Sequence, residues 1–252
     1  MSHGFQALVR RLERAQAIQN NRFNRAAGGR SLPLGGGFAH FLGEGHPLNQ
    51  ALGLVDPLSE DELITVEAFL GQPTVLELSP GADPDLWPLL AERGYRLQQF
   101  QQLWVRPLAG LVVSEGSTTV RVAEPREADL YSRVVSAGFM ERDDWQAAEP
   151  PFQSSLDVPD AWGFLVFVGG QPAGGGMLGI VEGVAMLSGD GVMPRFRGRG
   201  LQKALIQARL DLAQRRGCDV ACASTAPGTA SQRSYEACGF GAAYPKVEMA
   251  RG

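Results

Sequence analysis

Histidine is scarce in this 252-residue chain: His3, His40 and His46 are the only ones. Residues 47–252 therefore hold no imidazole for a Ser-His-Asp triad, an HExxH zinc site or a Cys-His pair, and any chemistry there works without histidine. Cysteine is as sparse. Cys218, Cys222 and Cys238, an odd number near the C-terminus, make no disulfide framework, so a reducing cytoplasm is the expected compartment. A net charge of −4 leaves no bulk polycation to attract nucleic acid. No run of about 18 apolar residues is present, so no membrane span is expected. Charges at Arg10, Arg11, Glu13 and Arg14 likewise interrupt the stretch where a secretory leader would be apolar. Neither the Gly-Lys-Ser/Thr of a Walker loop nor the dinucleotide GxGxxG spacing occurs.

With 44% hydrophobic residues the chain is rich enough for one large core or two ordinary ones. Phe5, Leu8, Val9, Leu12, Ala15 and Ile18 are spaced as the apolar stripe of a helix running to about Arg25. Gly28–Gly37 reads as a loop, followed by short strands at Phe38–Leu42 and Gln50–Leu54. Ser59-Glu60-Asp61-Glu62 is a capping-box pattern opening a helix to about Leu70. Thr74–Leu78 is a strand, Asp85–Glu92 a helix, Arg96–Val105 a strand, and Pro107–Thr118 a linker.

After the linker a fuller pattern begins: a strand at Thr119–Val122, a helix at Glu127–Ala137, and strands at Trp162–Val168, Ala173–Ile180 and Val184–Val192. A long helix follows at Gly200–Arg216, then a strand at Val220–Ser224, a helix at Thr229–Cys238 and a last strand through Val247–Met249. Antiparallel hairpins leading into a strand–helix–strand unit imply an α/β mixed sheet with helices on both faces. Leu90-Ala91-Glu92-Arg93-Gly94-Tyr95 matches Tyr235-Glu236-Ala237-Cys238-Gly239-Phe240 in its Gly-aromatic ending, which suggests a duplicated domain.

The densest signal is Val192-Met193-Pro194-Arg195-Phe196-Arg197-Gly198-Arg199-Gly200-Leu201, where a strand meets the long helix. Glycines that admit close approach, a helix N-terminus with unpaired N–H groups, and three arginines together make an anion site suited to a pyrophosphate. Arg195 to Gly200 resembles the R/Q-x-x-G-x-G/A signature of the GNAT N-acetyltransferases. The resemblance extends over roughly residues 119–250, through the Ser231–Phe240 segment. It implies the GNAT fold, a mostly antiparallel sheet with two splayed strands, and acetyl-CoA as cosubstrate. It also implies that Val192 and Met193 lie along the pantetheine arm. Arg195, Arg197, Gly198, Arg199, Gly200, Leu201, Gln202 and Ser231 would then lie at the nucleotide end. Tyr235 stands where the family keeps the tyrosine that protonates the departing thiolate, a task a phenol performs without histidine. Asp190, two residues before Val192, is the nearest candidate for the base that deprotonates the amine, with Glu182 a weaker alternative. Glu141, Asp143 and Trp145, together with Asp144 and Glu149, are the expected acceptor rim, where carboxylates and an aromatic face suit an ammonium group.

Two departures from the family pattern matter. Gly228 replaces an asparagine that commonly contacts the cofactor seven residues before the tyrosine. The first half lacks the glycine-arginine loop, has acidic residues at 60–62 in its place, and has Leu90 where Tyr235 falls in the repeat. Residues 1–110 are accordingly expected to form a degenerate GNAT-like domain and 119–252 the catalytic one. The expected activity is transfer of an acetyl group to a small-molecule or peptide amine by direct attack, in a monomer or homodimer. The alternative is a non-catalytic CoA-binding or sensor module.

Overall fold

The computed structural model describes residues 3–110, 119–148 and 156–252. Most of the expected linker and Glu149 lie outside these. The chain divides into two compact units, one of residues 3–103 with Ala243–Gly252 and one of Trp104–Ala242.

The first unit begins with helix α1 (His3–Ala26), followed by strands β1 (Arg30–Leu34), β2 (Gly37–Phe41) and β3 (Gln50–Leu52). Helix α2 (Glu60–Leu70), strand β4 (Thr74–Leu78), helix α3 (Leu86–Glu92) and strand β5 (Arg96–Pro107) complete the series. The second repeats that order after a short strand β6 (Val120–Val122): helix α4 (Ala128–Phe139), then β7 (Ala161–Val168), β8 (Gln171–Val181) and β9 (Val184–Val192). Helix α5 (Leu201–Arg215), strand β10 (Val220–Thr225), helix α6 (Ala230–Ala237) and strand β11 (Gly241–Arg251) close it. In each series three strands joined antiparallel are followed by a helix and a parallel return, β3 to β4 and β9 to β10. The duplication suggested by the Gly-aromatic repeat is thus visible as a repeated order of elements.

Two elements differ from expectation. Strand β1 lies inside the stretch read as a glycine loop, because Gly35 and Gly36 form a two-residue turn that pairs Leu34 with Gly37 and Arg30 with Phe41. Pro33 sits within β1, tolerable at the sheet edge the strand occupies. Strand β11 is far longer than Val247–Met249. It pairs antiparallel with β4 from Val247↔Leu78 to Arg251↔Thr74, which is why residues from Ala243 onward belong to the first unit and not to the second.

Each unit has its own core. Leu63, Val66 and Leu70 of α2 pack with Leu76, Leu78, Leu90 and Tyr95 in the first. In the second, Leu205, Ile206 and Leu210 of α5 pack with Phe164, Val166, Leu178 and Leu187 of the sheet. The first unit also encloses charge. Lys246 is fully buried with its Nζ 3.0 Å from Glu13 and 2.6 Å from Glu77, while Tyr244 donates to Glu13 at 2.8 Å. Buried ions persist only when paired in this way. Among the described residues no helix is long and apolar enough to cross a membrane.

Candidate active site

The site grows out of strand β9. Its ladder with β10 runs from Val184↔Val220 to Met186↔Cys222 and stops, so Leu187–Val192 carry backbone groups without ladder partners on that side. On the other side the register with β8 slips between Gly175↔Gly191 and Met177↔Ser188. Gly189 and Asp190 therefore oppose the single residue Gly176, a β-bulge whose first residue is glycine at φ +64°. A Cβ on Gly176 would lie 2.6 Å from Asp190 Oδ1 and 2.8 Å from Arg209 Nη1, so only glycine leaves room for what the bulge presents.

The bulge presents a buried polar cluster drawn from three elements. Tyr235 of α6, 1% exposed, donates its hydroxyl to Asp190 Oδ2, and Arg209 of α5, wholly buried, pairs with Asp190 Oδ1. Arg209 also donates to the carbonyls of Leu205 (3.0 Å), Met177 (3.1 Å) and Ser188 (3.3 Å). Burial pushes the Tyr235 hydroxyl well above its ordinary range. The charge of Asp190 pushes it further in the same direction, and Arg209 opposes. Burial works against the charge on Arg209, but Asp190, Tyr235 and Tyr131 together outweigh it and raise the guanidinium above its ordinary value. Sequence reasoning paired Tyr235 and Asp190 with the chemistry but missed Arg209. Its signal was an arginine in the buried stripe Leu205, Arg209, Ala213 of an amphipathic helix. Each oxygen of Asp190 thus has one partner within the cluster.

Next to this cluster, α5 begins without a side-chain cap. Pro194–Phe196 form a single helical turn, and Gly198 (φ +74°) and Gly200 (φ +75°) take the left-handed conformation that lets the chain enter α5. A Cβ at either would meet nothing within 4 Å, so these glycines serve backbone geometry and leave the terminus open. The Arg195 and Arg199 guanidiniums lie 4.7 and 5.8 Å from the Phe196 ring. Leu201 and Gln202 are half-buried in the first turn, the Nε2 of Gln202 without a hydrogen-bond partner. Ser231 is half-buried near the start of α6. The side chains of Val192 and Met193 belong to the core, so only their backbone faces outward. The corresponding helix of the first unit is closed: Ser59 accepts from the amide of Glu62, whose carboxylate accepts from the Ser59 amide at 2.9 Å, with Glu60 and Asp61 alongside.

Arg197 differs from its sequence-based role at the nucleotide end. Its fork grips Glu141 (Nη2 to Oε1 at 2.9 Å) and also donates to the carbonyls of Val192 (2.9 Å) and Gly138 (3.1 Å). It thereby ties the end of β9 to α4, and Glu141, expected at the acceptor rim, is its partner. Asp143 accepts from the Arg195 amide at 2.8 Å. Asp143, Asp144, Trp145, Gln146 and Arg195 line a cleft of about 320 Å³, so part of the expected rim is assembled beside the helix-entry loop. Glu182 sits in the β8–β9 turn at φ +49°, away from the bulge. Among the described residues no trio of His, Cys, Asp or Glu could hold a metal ion.

A family model described as acetyltransferase (GNAT) family matches residues 128–240. Among solved structures, a GCN5-related N-acetyltransferase from Kribbella flavida is similar with a TM-score of 0.68 at 20% identity, over 96% of this chain and 95% of that one. A tandem GNAT protein from the clavulanic acid biosynthesis pathway is similar with a TM-score of 0.59 at 14% identity, over 87% of this chain and 80% of that one. A GNAT-family acetyltransferase from Colwellia psychrerythraea gives 0.54 at 15%, over 88% and 84%. Likeness at these identities is likeness of fold. No curated protein sequence matches the chain significantly. The bulged strand, the uncapped helix and Tyr235 all fall within residues 128–240, the stretch that matches the GNAT acetyltransferase family model.

Proposed function

We propose that the second unit is an acetyl-CoA-dependent N-acetyltransferase that moves the acetyl group to a primary amine of a small molecule or peptide by direct attack in a ternary complex. The observation that carries this reading is the divergence of β9 from β10 beyond Met186 and Cys222, with an uncapped helix terminus beside it and a buried phenol at Tyr235. Backbone along Leu187–Val192 that has no ladder partner on the β10 side suits an extended amide-bearing arm. A diphosphate is suited to the amides of residues 197–202, with Arg195 and Arg199 as flanking charges. A backbone N–H near Val192 would polarise the thioester carbonyl as negative charge develops on its oxygen. Tyr235 would hand its proton to the departing sulfur. The cleft holding Trp145, Asp143 and Asp144 is the reading's acceptor rim. The first unit, whose equivalent helix is closed by Ser59 and Glu62, is read as degenerate and without coenzyme A.

A non-catalytic acyl-CoA-binding module is the second reading, and it draws on the commitment of the Tyr235 hydroxyl to Asp190. Calorimetric titration of acetyl-CoA and of coenzyme A, followed by an amine screen that detects released thiol, separates the two. One saturable site per chain with amine-dependent thiol release is expected. Binding without turnover on any amine would favour the module, and the absence of binding would overturn both.

A further inference from the structure

We propose that Arg209 and Asp190 are a positioning pair for Tyr235, and that Asp190 is not the base that deprotonates the amine; the inference rests on the transferase reading above. Both carboxylate oxygens of Asp190 are already engaged, Oδ1 by Arg209 and Oδ2 by Tyr235. The site is built around that arrangement. The bulge at Gly189 and Asp190 and the missing side chain of Gly176 make the space, and Arg209 is anchored to main-chain carbonyls on both β8 and β9. A wholly buried guanidinium persists only when paired, and Asp190 is the partner the bulge supplies. Two of the carboxylate's roughly four acceptor positions are taken from two different helices, α5 and α6, so an incoming amine would have to reach a remaining one past Arg209 and Tyr235.

The proton balance follows. When thiolate leaves, the Tyr235 O–H bond breaks and an S–H bond forms, leaving a phenolate that water reprotonates; the amine's proton goes to solvent separately. The phenolate would stand between an opposing charge and a supporting one, Asp190 from β9 and Arg209 from α5. Two other titratable groups lie in the field of this pair: Tyr131 from α4, whose own hydroxyl is raised by burial, and Cys238 on α6, which also feels Lys203 and Arg106. Arg209 is thus the cation that partly offsets the charge left on the phenolate, and Asp190 holds the Tyr235 hydroxyl in place until it turns from the carboxylate to the departing sulfur.

Alkaline ultraviolet titration of tyrosinate tests this without substrate, with Tyr235→Phe identifying the contribution of Tyr235. In the wild type Tyr235 should stay protonated through the titration. In Asp190→Asn it should ionise within it, its ionisation constant rising on the order of tenfold or more. Arg209→Met should slow turnover on the order of a hundredfold, and Arg209→Lys should restore part of it. If Arg209→Met does not fold, the Asp190→Asn titration decides alone. In the pH profile of kcat/KM, Asp190→Asn should keep the acid limb and move the alkaline limb down with Tyr235. Loss of the acid limb with Tyr235 unmoved would make Asp190 the base and sink the proposal. A shifted Tyr235 in a protein that acetylates nothing would instead sink the transferase reading and leave the pair standing.

Discussion

A phenol serves as an acid only as well as its surroundings tolerate the anion it leaves. Tyr235 is surrounded by Phe240, whose ring centre is 5.0 Å away, and by a carboxylate, both of which favour the protonated form. Only Arg209 offsets them. Tyr235→Phe is therefore expected to lower kcat on the order of a hundredfold with acetyl-CoA affinity nearly kept, measured by steady-state kinetics beside calorimetry. The same change leaves a lone pair of Asp190 unsatisfied in a buried place, so thermal unfolding should report a loss of about 1–3 kcal/mol. At this scale the sequence was legible where a motif fixes position. Tyr235 and Asp190 were both picked out, one from a resemblance and one from strand spacing, before their contact was known. Arg209 and Arg197 were not readable, because their meaning lies in partners distant along the chain. Arg197 sits in an arginine-rich loop and looks like a phosphate ligand, yet Glu141, 56 residues earlier, takes its fork.

Secondary elements here come close together because of what their glycines omit. Helix α4 meets β9 backbone to backbone: a Cβ on Gly138 would lie 2.6 Å from the Gly191 carbonyl carbon and 2.8 Å from the Val192 nitrogen. Neither atom belongs to a flexible side chain that could swing away. Gly138→Ala should therefore cost about 2 kcal/mol or more in chemical denaturation, although alanine is the better helix former. Because the displaced backbone is the one proposed to face the thioester, acetyl transfer should fall as well. An exposed glycine such as Gly169, whose Cβ would meet nothing within 4 Å, is a control only for space, since its φ of +56° carries its own penalty. Element positions were legible wherever hydrophobic period and caps agreed, as in α2, whose capping box forms as read. Strand β1 was hidden because Gly35-Gly36 looks the same in a loop as in a tight hairpin. The length of β11 was hidden because Pro245 interrupts its pattern while the strand continues through it.

Two series of elements in one order give the molecule two cores, and the cores answer differently to acid. His40 on β2 belongs to the first unit, is 3% exposed, and its Nε2 has no hydrogen-bond partner. Burial pushes its imidazole down to about 4. The unfolded chain, with a value near 6.5, binds the proton more readily than the folded one. Stability from this group is complete above about pH 6.5 and is lost as pH falls toward 4, at most about 3 kcal/mol for a shift of this size. Thermal unfolding across that window should show the loss, and His40→Asn should flatten the slope. A pH dependence identical in the variant would assign the acid sensitivity elsewhere.

The duplication also bears on the number of cofactor sites, since each unit places a helix between two parallel strands. In α5 that helix starts at Gly200 with no side chain over its amides; in α2 the amides are met by Ser59 and Glu62 with three acidic residues in the first turn. A diphosphate would gain from the first arrangement and be repelled by the second. The weak acidic signature at 59–62 was readable in the sequence as the reason for this asymmetry, whereas the exchange of β11 into the first unit was not, since no local pattern says which strand an end will pair with. Gly198→Asp separates one site from two. It puts a carboxylate at the open terminus and forces a non-glycine residue to φ +74°, so acetyl-CoA affinity should fall tenfold or more, on the order of 1.4 kcal/mol. If the second unit holds the only site, calorimetry on Gly198→Asp shows every binding event weakened and none at wild-type affinity. Retention of half the stoichiometry at wild-type affinity would place a working site in the first unit, and the capped terminus of α2 would then need another explanation.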